Sequence, residues 1–376
     1  MGSSACYYLS RRGYKVLGLE QFDISHEFGS HAGQSRIIRK AYFEHSDYVP
    51  LLNKAYENWK KLEEETGKQT RSPDGRIYFR TGLLYFGPPD HPIIKGVKRS
   101  ASLYEIEVER FNILSSAKKF PQFKVPEYFE CLHEPDAGFI TPEKTIRLYA
   151  TLAKKSGSEI HPYEKVVNWE KIGDGIVVRT DKNNYHCSKL VITAGAWAGK
   201  MIPGFQDKLK ITRQFVAWVK LKNENDYRLN NFPCWMIADN EKPGAYYGFP
   251  ILPTEKFGEP AGLKLAHHYA YNETDPDNVN RQVTADDEEN LKYALNKYFS
   301  GTFESFLSSK ICLYANSPDE NFIIDKLPGY KNVVIACGFS GHGFKFVSVV
   351  GEILADLLTY GKTELPIEFL STKRFV

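Results

Sequence analysis

Within eight residues, Gly338-Phe339-Ser340-Gly341-His342-Gly343-Phe344-Lys345 holds three glycines, an imidazole and an ammonium. An apolar, strand-like stretch, Asn332–Cys337, leads into it and a helix-like stretch follows. Glycines there let backbone approach a flat ligand, and a helix start presents partial positive charge to an anion such as a reduced flavin or a carboxylate. A glycine-rich turn with two solvated side chains explains the same residues. Gly29-Ser30-His31-Ala32-Gly33-Gln34-Ser35-Arg36-Ile37-Ile38-Arg39 sets two arginines three apart, the spacing of one face of a helix or turn. Arg39 is suited to clamp a carboxylate, and a surface salt-bridge pair is the plainer alternative. Cys312, beside Tyr314 and ahead of Phe322-Ile323-Ile324, reads on its own as a small buried hydrophobe.

Small residues mark two further places. Gly2, Ser3, Ser4 and Ala5, then Gly13 and a strand ending at Glu20, have the form of the second half of a dinucleotide fingerprint. Small side chains let a helix pack close on a sheet, its N-terminus faces pyrophosphate, and the acid accepts ribose hydroxyls. An ordinary helix and strand would look the same. The apolar run Val191-Ile192-Thr193 breaks at Ala194-Gly195-Ala196-Trp197, which packing alone or passage beside a flat ligand explains.

These residues need elements to hold them. The periodicity predicts a helix over Ser3–Arg12, a strand over Lys15–Glu20, and an amphipathic helix over Asp47–Thr66 closed by Gly67. Strand-like alternation covers Arg76–Phe86, and Thr141-Pro142-Glu143 starts a helix that runs to Ser156. Short strands are expected at Lys165–Trp169, Gly175–Thr180 and Lys189–Thr193, and an antiparallel, ligand-facing sheet within Arg213–Leu265. Thr274–Asp287 is turn-like, Glu288–Phe299 helical, and Phe344–Tyr360 a helix ended by Gly361. The expected fold class is α/β: an interrupted Rossmann-like domain over residues 1–80, 140–212 and 305–376, and a second domain on a largely antiparallel sheet over 81–139 and 213–304.

Composition limits the partners. Lys and Arg number 49 against 46 Asp and Glu, a net charge of +3, too balanced for a protein that rides on phosphate backbones. Nucleic acid is not expected. The longest apolar runs, such as Val333–Cys337 and Phe346–Val350, fall far short of the roughly 20 residues of a bilayer crossing. Met1–Leu9 has neither the basic start nor the apolar run of a leader, and the six cysteines form no CxxC pair. A cytoplasmic monomer is the expectation, with no metal site and no membrane partner.

Taken together, Gly29–Arg39, Thr193–Trp197, Tyr246-Tyr247-Gly248-Phe249-Pro250, Gly262-Leu263-Lys264-Leu265, Cys312–Asp325 and Gly338–Phe346 occur in the order seen in monomeric sarcosine oxidases. The chain resembles that family and the related N-methyltryptophan oxidases over nearly its whole length. The resemblance implies an FAD-dependent oxidase of N-methyl amino acids, releasing a primary amino acid, formaldehyde and hydrogen peroxide, with a secondary amino acid and oxygen as its small-molecule partners. It further implies that Cys312 carries FAD covalently, that Arg39 and Lys345 hold the substrate carboxylate, and that Lys264 promotes reaction with oxygen. Arg36 then lies beside the flavin, Tyr247, His268 and His342 line the substrate cavity near Tyr314, and Glu20 binds ribose. Gly2, Ser30, His31, Gly195, Trp197, Gly338, Gly341 and Gly343 fall around the cofactor, with Arg36, His342 and Lys345 facing both cofactor and substrate.

Three departures from the family pattern bear on this. Ala32 replaces a second histidine, Ile251–Ala261 is longer, and the family's first strand with two fingerprint glycines has no counterpart before Met1. The last predicts that Met1 is an internal methionine of a longer protein and that the 376-residue chain binds FAD poorly. Two alternatives follow: an oxidase of a bulkier or cyclic secondary amino acid, such as N-methyltryptophan or pipecolate, and a flavin-free relative.

Overall fold

The computed structural model describes residues 1–70, 75–269, 272–299 and 301–375. Small side chains decide where the first helix, Gly2–Arg11, packs. It lies against helices Pro142–Lys155 and Val347–Tyr360, and a Cβ on Gly351 of the latter would collide with Ser4. Glycine lets these two helices touch. Behind the contact, Trp59, Leu52, Val350, Ile353 and Leu354 belong to one buried core.

Two small sheets both meet the first helix here. Strand Leu17–Leu19 pairs in parallel with Glu159–His161, while Leu190–Ile192 pairs in parallel with Val333–Cys337, which is antiparallel to Ile323–Lys326. Among the described residues the two sheets share no strand pairing.

The third layer is an eight-stranded sheet in the order Phe303–Asn316, Lys210–Leu221, Leu263–His268, Ala245–Phe249, Cys234–Ile237, Leu83–Gly87, Glu130–Glu134, Glu109–Phe111. All neighbours are antiparallel except Cys234–Ile237 with Leu83–Gly87. One face, with Ala217, Val219, Leu263, Leu265 and Trp235, packs under helix Ala285–Tyr298. Side chains alternate along a strand, so the register places Cys312 opposite Gln214, Trp218 opposite Lys264, and Ala266 opposite Tyr247 on the other face. Lys264, Tyr247, His268, Cys312 and Tyr314 thus share one side of one sheet.

Several boundaries differ from the expectations. Arg76–Phe86 is two strands, Tyr78–Arg80 and Leu83–Gly87, in different sheets, because Gly82 at φ +73° turns the chain between them. Helix Tyr48–Thr70 runs through Gly67, an interior glycine that weakens a helix without ending it. Helix Ala285–Tyr298 starts inside the stretch expected to be turn-like, since Thr284 and Asp287 form a capping box. Arg36 and Arg39 do not share a helical face: Arg36–Ile38 is a strand, paired with Gly138–Ile140, so spacing three turns the two arginines to different sides. No helix of the described residues is long and apolar enough to cross a membrane, and among them no group of metal-ligating side chains assembles.

Candidate active site

One cavity of about 1420 Å³ runs between the two small sheets and under the large one. It exceeds the roughly 300–1,000 Å³ of common ligand sites, leaving room for a dinucleotide and a small substrate together. At one end lie Gly2 and Ser3 of the first helix, with Glu20 after strand Leu17–Leu19. Thr193, Gly195 and Trp197 form its side, and at the other end Gly338, Gly341, His342, Gly343 and Lys345 meet Tyr247, His268 and Tyr314.

That far end is cationic and dry. Arg39 is 3% exposed and Lys345 5%, which overturns the surface salt-bridge and solvated-turn alternatives. The Arg39 guanidinium lies between the rings of Tyr42 and Phe43, 4.2 and 4.1 Å from their centres. Its Nη2 donates to both oxygens of Glu44 at 2.6 and 2.7 Å, and Nη1 to the Ala41 carbonyl at 3.3 Å. Burial opposes the Glu44 charge, but Arg39, with His342 and Lys345 nearby, holds that carboxyl down at about 2. Lys345 Nζ donates to the His342 carbonyl at 2.7 Å and to the Tyr42 hydroxyl at 3.5 Å. Burial, then Arg39, lowers its amine to about 7 despite Glu44. His342 Nε2 donates to the Glu320 carbonyl at 3.0 Å, so Nδ1 accepts from the Tyr42 hydroxyl at 2.6 Å. Burial pushes His342 to about 3 and His268, which meets the Tyr314 hydroxyl at 3.2 Å, to about 4. Both imidazoles are neutral near pH 7.

Under the large sheet, Arg36 donates to the carbonyls of Ser30, Ala32 and Ser35, and its Nη2 stands 3.9 Å from Cys312 Sγ. Lys264, 2% exposed, donates to the carbonyls of Gly33 and Ser35 and to Ser35 Oγ at 2.5, 2.7 and 3.1 Å. Burial, with Arg36 nearby, drives its amine well below the usual lysine range. Trp218 packs against Gly33, and its Nε1 donates to Gln34 Oε1, whose amide donates on to the carbonyls of Gly258 and Pro260. The Ile251–Ala261 segment is therefore tied to the Lys264 support.

The cavity brings together Gly2, Glu20, Ser30, His31, Arg36, Arg39, Gly195, Trp197, Tyr247, His268, Tyr314, Gly338, Gly341, His342, Gly343 and Lys345. Cys312 and Lys264 are not among its lining: Cys312 stands behind Arg36, and Lys264 bonds the Gly33 and Ser35 carbonyls of the same loop. Sequence reasoning missed Glu44, Glu134, Glu143, Tyr42 and Gln34, whose spacing carries no signal, since each meets its partner only through a turn or across sheets.

The lining fits FAD on three grounds. His31 Nε2 is buried with no partner among the described residues, an imidazole held neutral near a pKa of about 4 by burial and by His26. The helix N-terminus at Gly2 opens onto the cavity, and a Cβ there would press on Thr193 Oγ1 at 3.0 Å. Gly341 at φ +79° lies so close to the Tyr314 ring that no side chain fits.

The comparisons point to the same cofactor. The monomeric sarcosine oxidase of Bacillus sp. (strain NS-129) is 37% identical over 380 residues, covering 100% of this chain and 94% of that one. The N-methyl-L-tryptophan oxidase of Salmonella enteritidis PT4 is 35% identical over 364 residues, 96% of this chain and 93% of that one. Among solved structures, NikD, an unusual amino acid oxidase essential for nikkomycin biosynthesis, superposes with a TM-score of 0.83 at 21% identity over 98% of this chain and 94% of that one. That likeness bears on the fold alone. Residues 1–357 match the family described as DAO, FAD dependent oxidoreductase, and with the relatives above this establishes that the chain belongs to the DAO family of FAD dependent oxidoreductases.

Proposed function

We propose that this protein is an FAD-dependent oxidase of N-methyl amino acids, converting a sarcosine-like substrate and oxygen to a primary amino acid, formaldehyde and hydrogen peroxide. The observation that carries the reading is the convergence of Arg39 and Lys345, both buried, on one end of a cavity whose other end suits a dinucleotide. When bound, FAD supplies the acceptor for a hydride equivalent from the N-methyl carbon and the ring at which oxygen is reduced.

Arg39 and Lys345 grip the substrate carboxylate and so aim the N-methyl group along the cavity. Glu44 occupies Arg39 and has to yield to that carboxylate. The amine is held unprotonated, because the neighbouring imidazoles are neutral and offer an ammonium no counter-charge. Arg36 supplies charge and Lys264 an amine near where oxygen reacts. Covalent attachment through Cys312 belongs to the same reading, with Arg36 beside the sulfur to offset thiolate charge. We take the division into residues 1–80, 140–212 and 305–376 against 81–139 and 213–304 as cofactor and substrate domains. All six cysteines are free, which supports work in a reducing cytoplasm, and we take the protein to act as a monomer on small molecules.

The test is an absorption spectrum with acid precipitation, then a substrate panel read by peroxide. Flavin colour should stay in the pellet and wash out after Cys312→Ser. Sarcosine should be oxidised in preference to N-methyltryptophan and pipecolate, and dimethylamine, which has no carboxylate, should not react. Arg39→Ala should raise KM by roughly 30-fold or more, the scale of losing one partner of a buried charged contact. Colour that washes out of flavin-loaded protein with Cys312 intact, or equal turnover of dimethylamine by that loaded protein, sinks the reading.

A further inference from the structure

Two carboxylates that the reaction does not use, Glu134 fully buried and Glu143 half-buried, bracket the segment carrying Arg36 and Arg39. Strand Arg36–Ile38 lies on Gly138–Ile140, Arg36 opposite Ile140 and Ile38 opposite Gly138, and a glutamate stands beyond each end of that partner strand. Glu143 Oε1 accepts the N–H groups of Gly33 and Gln34 at 2.6 and 3.2 Å. Glu134, fully buried, accepts the N–H groups of Lys40 and Ala41 at 2.5 and 3.2 Å and the Tyr85 hydroxyl at 2.9 Å. Among the described residues Glu134 takes part in no salt bridge. A carboxylate held out of water without a cation costs stability, so what it does for the backbone needs a reason.

The reason lies in what surrounds Arg39. Its contacts come from the next five residues: the Ala41 carbonyl, the Tyr42 and Phe43 rings and the Glu44 carboxylate. That cradle is one turn of chain, and Glu134 bolts its first two peptide groups. We propose that Glu134 is a positioning residue for carboxylate capture, fixing the Lys40–Ala41 turn so that the Arg39 guanidinium keeps its direction when a substrate carboxylate displaces Glu44. The inference rests on the reading of Arg39 given above. Glu143 anchors the opposite end, at the N–H groups of Gly33 and Gln34 beside the Gly33 carbonyl that receives Lys264, and does not set Arg39.

The experiment uses holoenzyme and the thioether acid CH3–S–CH2–COOH, which has the carboxylate but no oxidisable amine. Its Kd is measured by calorimetry, alongside KM and kcat for sarcosine and the thermal midpoint. Glu134→Gln keeps the volume but loses the charge, and both Kd and KM should rise by roughly tenfold, the scale of one charge-assisted hydrogen bond, while kcat changes by less than about threefold. Glu143→Gln should leave Kd within about twofold of the parent, on the same scale. Adding Glu134→Gln to Arg39→Ala should weaken binding no further, because the turn then has no guanidinium to aim. Should Glu134→Gln fail to fold, Tyr85→Phe removes only the phenol bond to the same carboxylate and should shift Kd in the same direction by a smaller factor.

Unchanged Kd in a folded Glu134→Gln or in Tyr85→Phe, where Arg39→Ala has lost binding, overturns the inference and leaves the carboxylate reading standing. Additive losses in the double variant overturn it too. Normal binding by Arg39→Ala overturns both.

Discussion

Arg39 meets a carboxylate of its own chain, and that contact governs its behaviour. Replacing Glu44 with Gln removes an internal competitor, so the thioether acid should bind more tightly, by about tenfold, while the thermal midpoint falls because a buried guanidinium loses its partner. Weaker binding would show that Glu44 helps to hold the ligand. With its folded value near 2 against 4.5 in the open chain, Glu44 contributes stability above pH 4.5 that is lost as pH falls toward 2. Lys345 works in the opposite range. Burial and Arg39 hold its amine near 7, with Glu44 opposing and Tyr42, His342 and His268 packed around it as neutral groups. Below pH 7 it is an ammonium that attracts a carboxylate, and above pH 7 it is an amine that does not. Affinity for the thioether acid should therefore fall by up to tenfold per pH unit between about 7 and 9, and Lys345→Met should flatten that slope. A profile flat from pH 6 to 9 in the unmutated protein would remove Lys345 from the carboxylate site.

Contacts between elements set where these residues stand, and glycine sets two of the tightest. Helix Gly2–Arg11 approaches helix Val347–Tyr360 at Gly351, where a Cβ would run into Ser4. Gly351→Val should cost about 1–3 kcal/mol by overpacking and lower the thermal midpoint. It should also weaken FAD binding, since the first helix presents its N-terminus to the cavity; a folded variant with normal stability would mean that the helices can separate freely. At Gly341 the positive φ and the Tyr314 ring act together. Gly341→Ala should disturb His268 through Tyr314, and His342 and Lys345 through the loop, raising KM along with lowering stability. Helix Val347–Tyr360 was legible from its apolar face and the Gly361 end, because a long amphipathic pattern has one solution. Strand Arg36–Ile38 was not, since spacing three suits a turn until Phe139 and its neighbours are known to lie alongside.

At the scale of the molecule, the cavity separates two small sheets that have no described strand pairing with each other. Leu17–Leu19 and Leu190–Ile192 both line it, so a dinucleotide bound along the cavity would touch both sheets. FAD at a hundred times its dissociation constant adds about 2.7 kcal/mol to the folded state by mass action. Protein produced without riboflavin should unfold a few degrees below the holoenzyme, and amide exchange at both strands should slow on adding FAD. Identical melting and exchange with and without flavin would show that the cavity does not receive it.

Residue types and spacing determined a good deal on their own: the glycine loop before Phe344, the helix after it, the apolar strand Val333–Cys337, and the fold class. Each depends on chemistry local to a few residues, such as a left-handed turn or a helical period. The order of motifs also carried Arg39, Lys345, Lys264 and Cys312 by resemblance. Tertiary structure alone decided which of these share a space. Lys264 and Cys312 lie 48 residues apart in sequence but face the same side of one sheet, because strands Leu263–His268 and Phe303–Asn316 both pair with Lys210–Leu221. Glu44, Glu134 and Glu143 were invisible for the complementary reason. A partnered carboxylate and a solvated one have the same letter in the sequence, and only folding decides which of them meets a guanidinium or a peptide N–H.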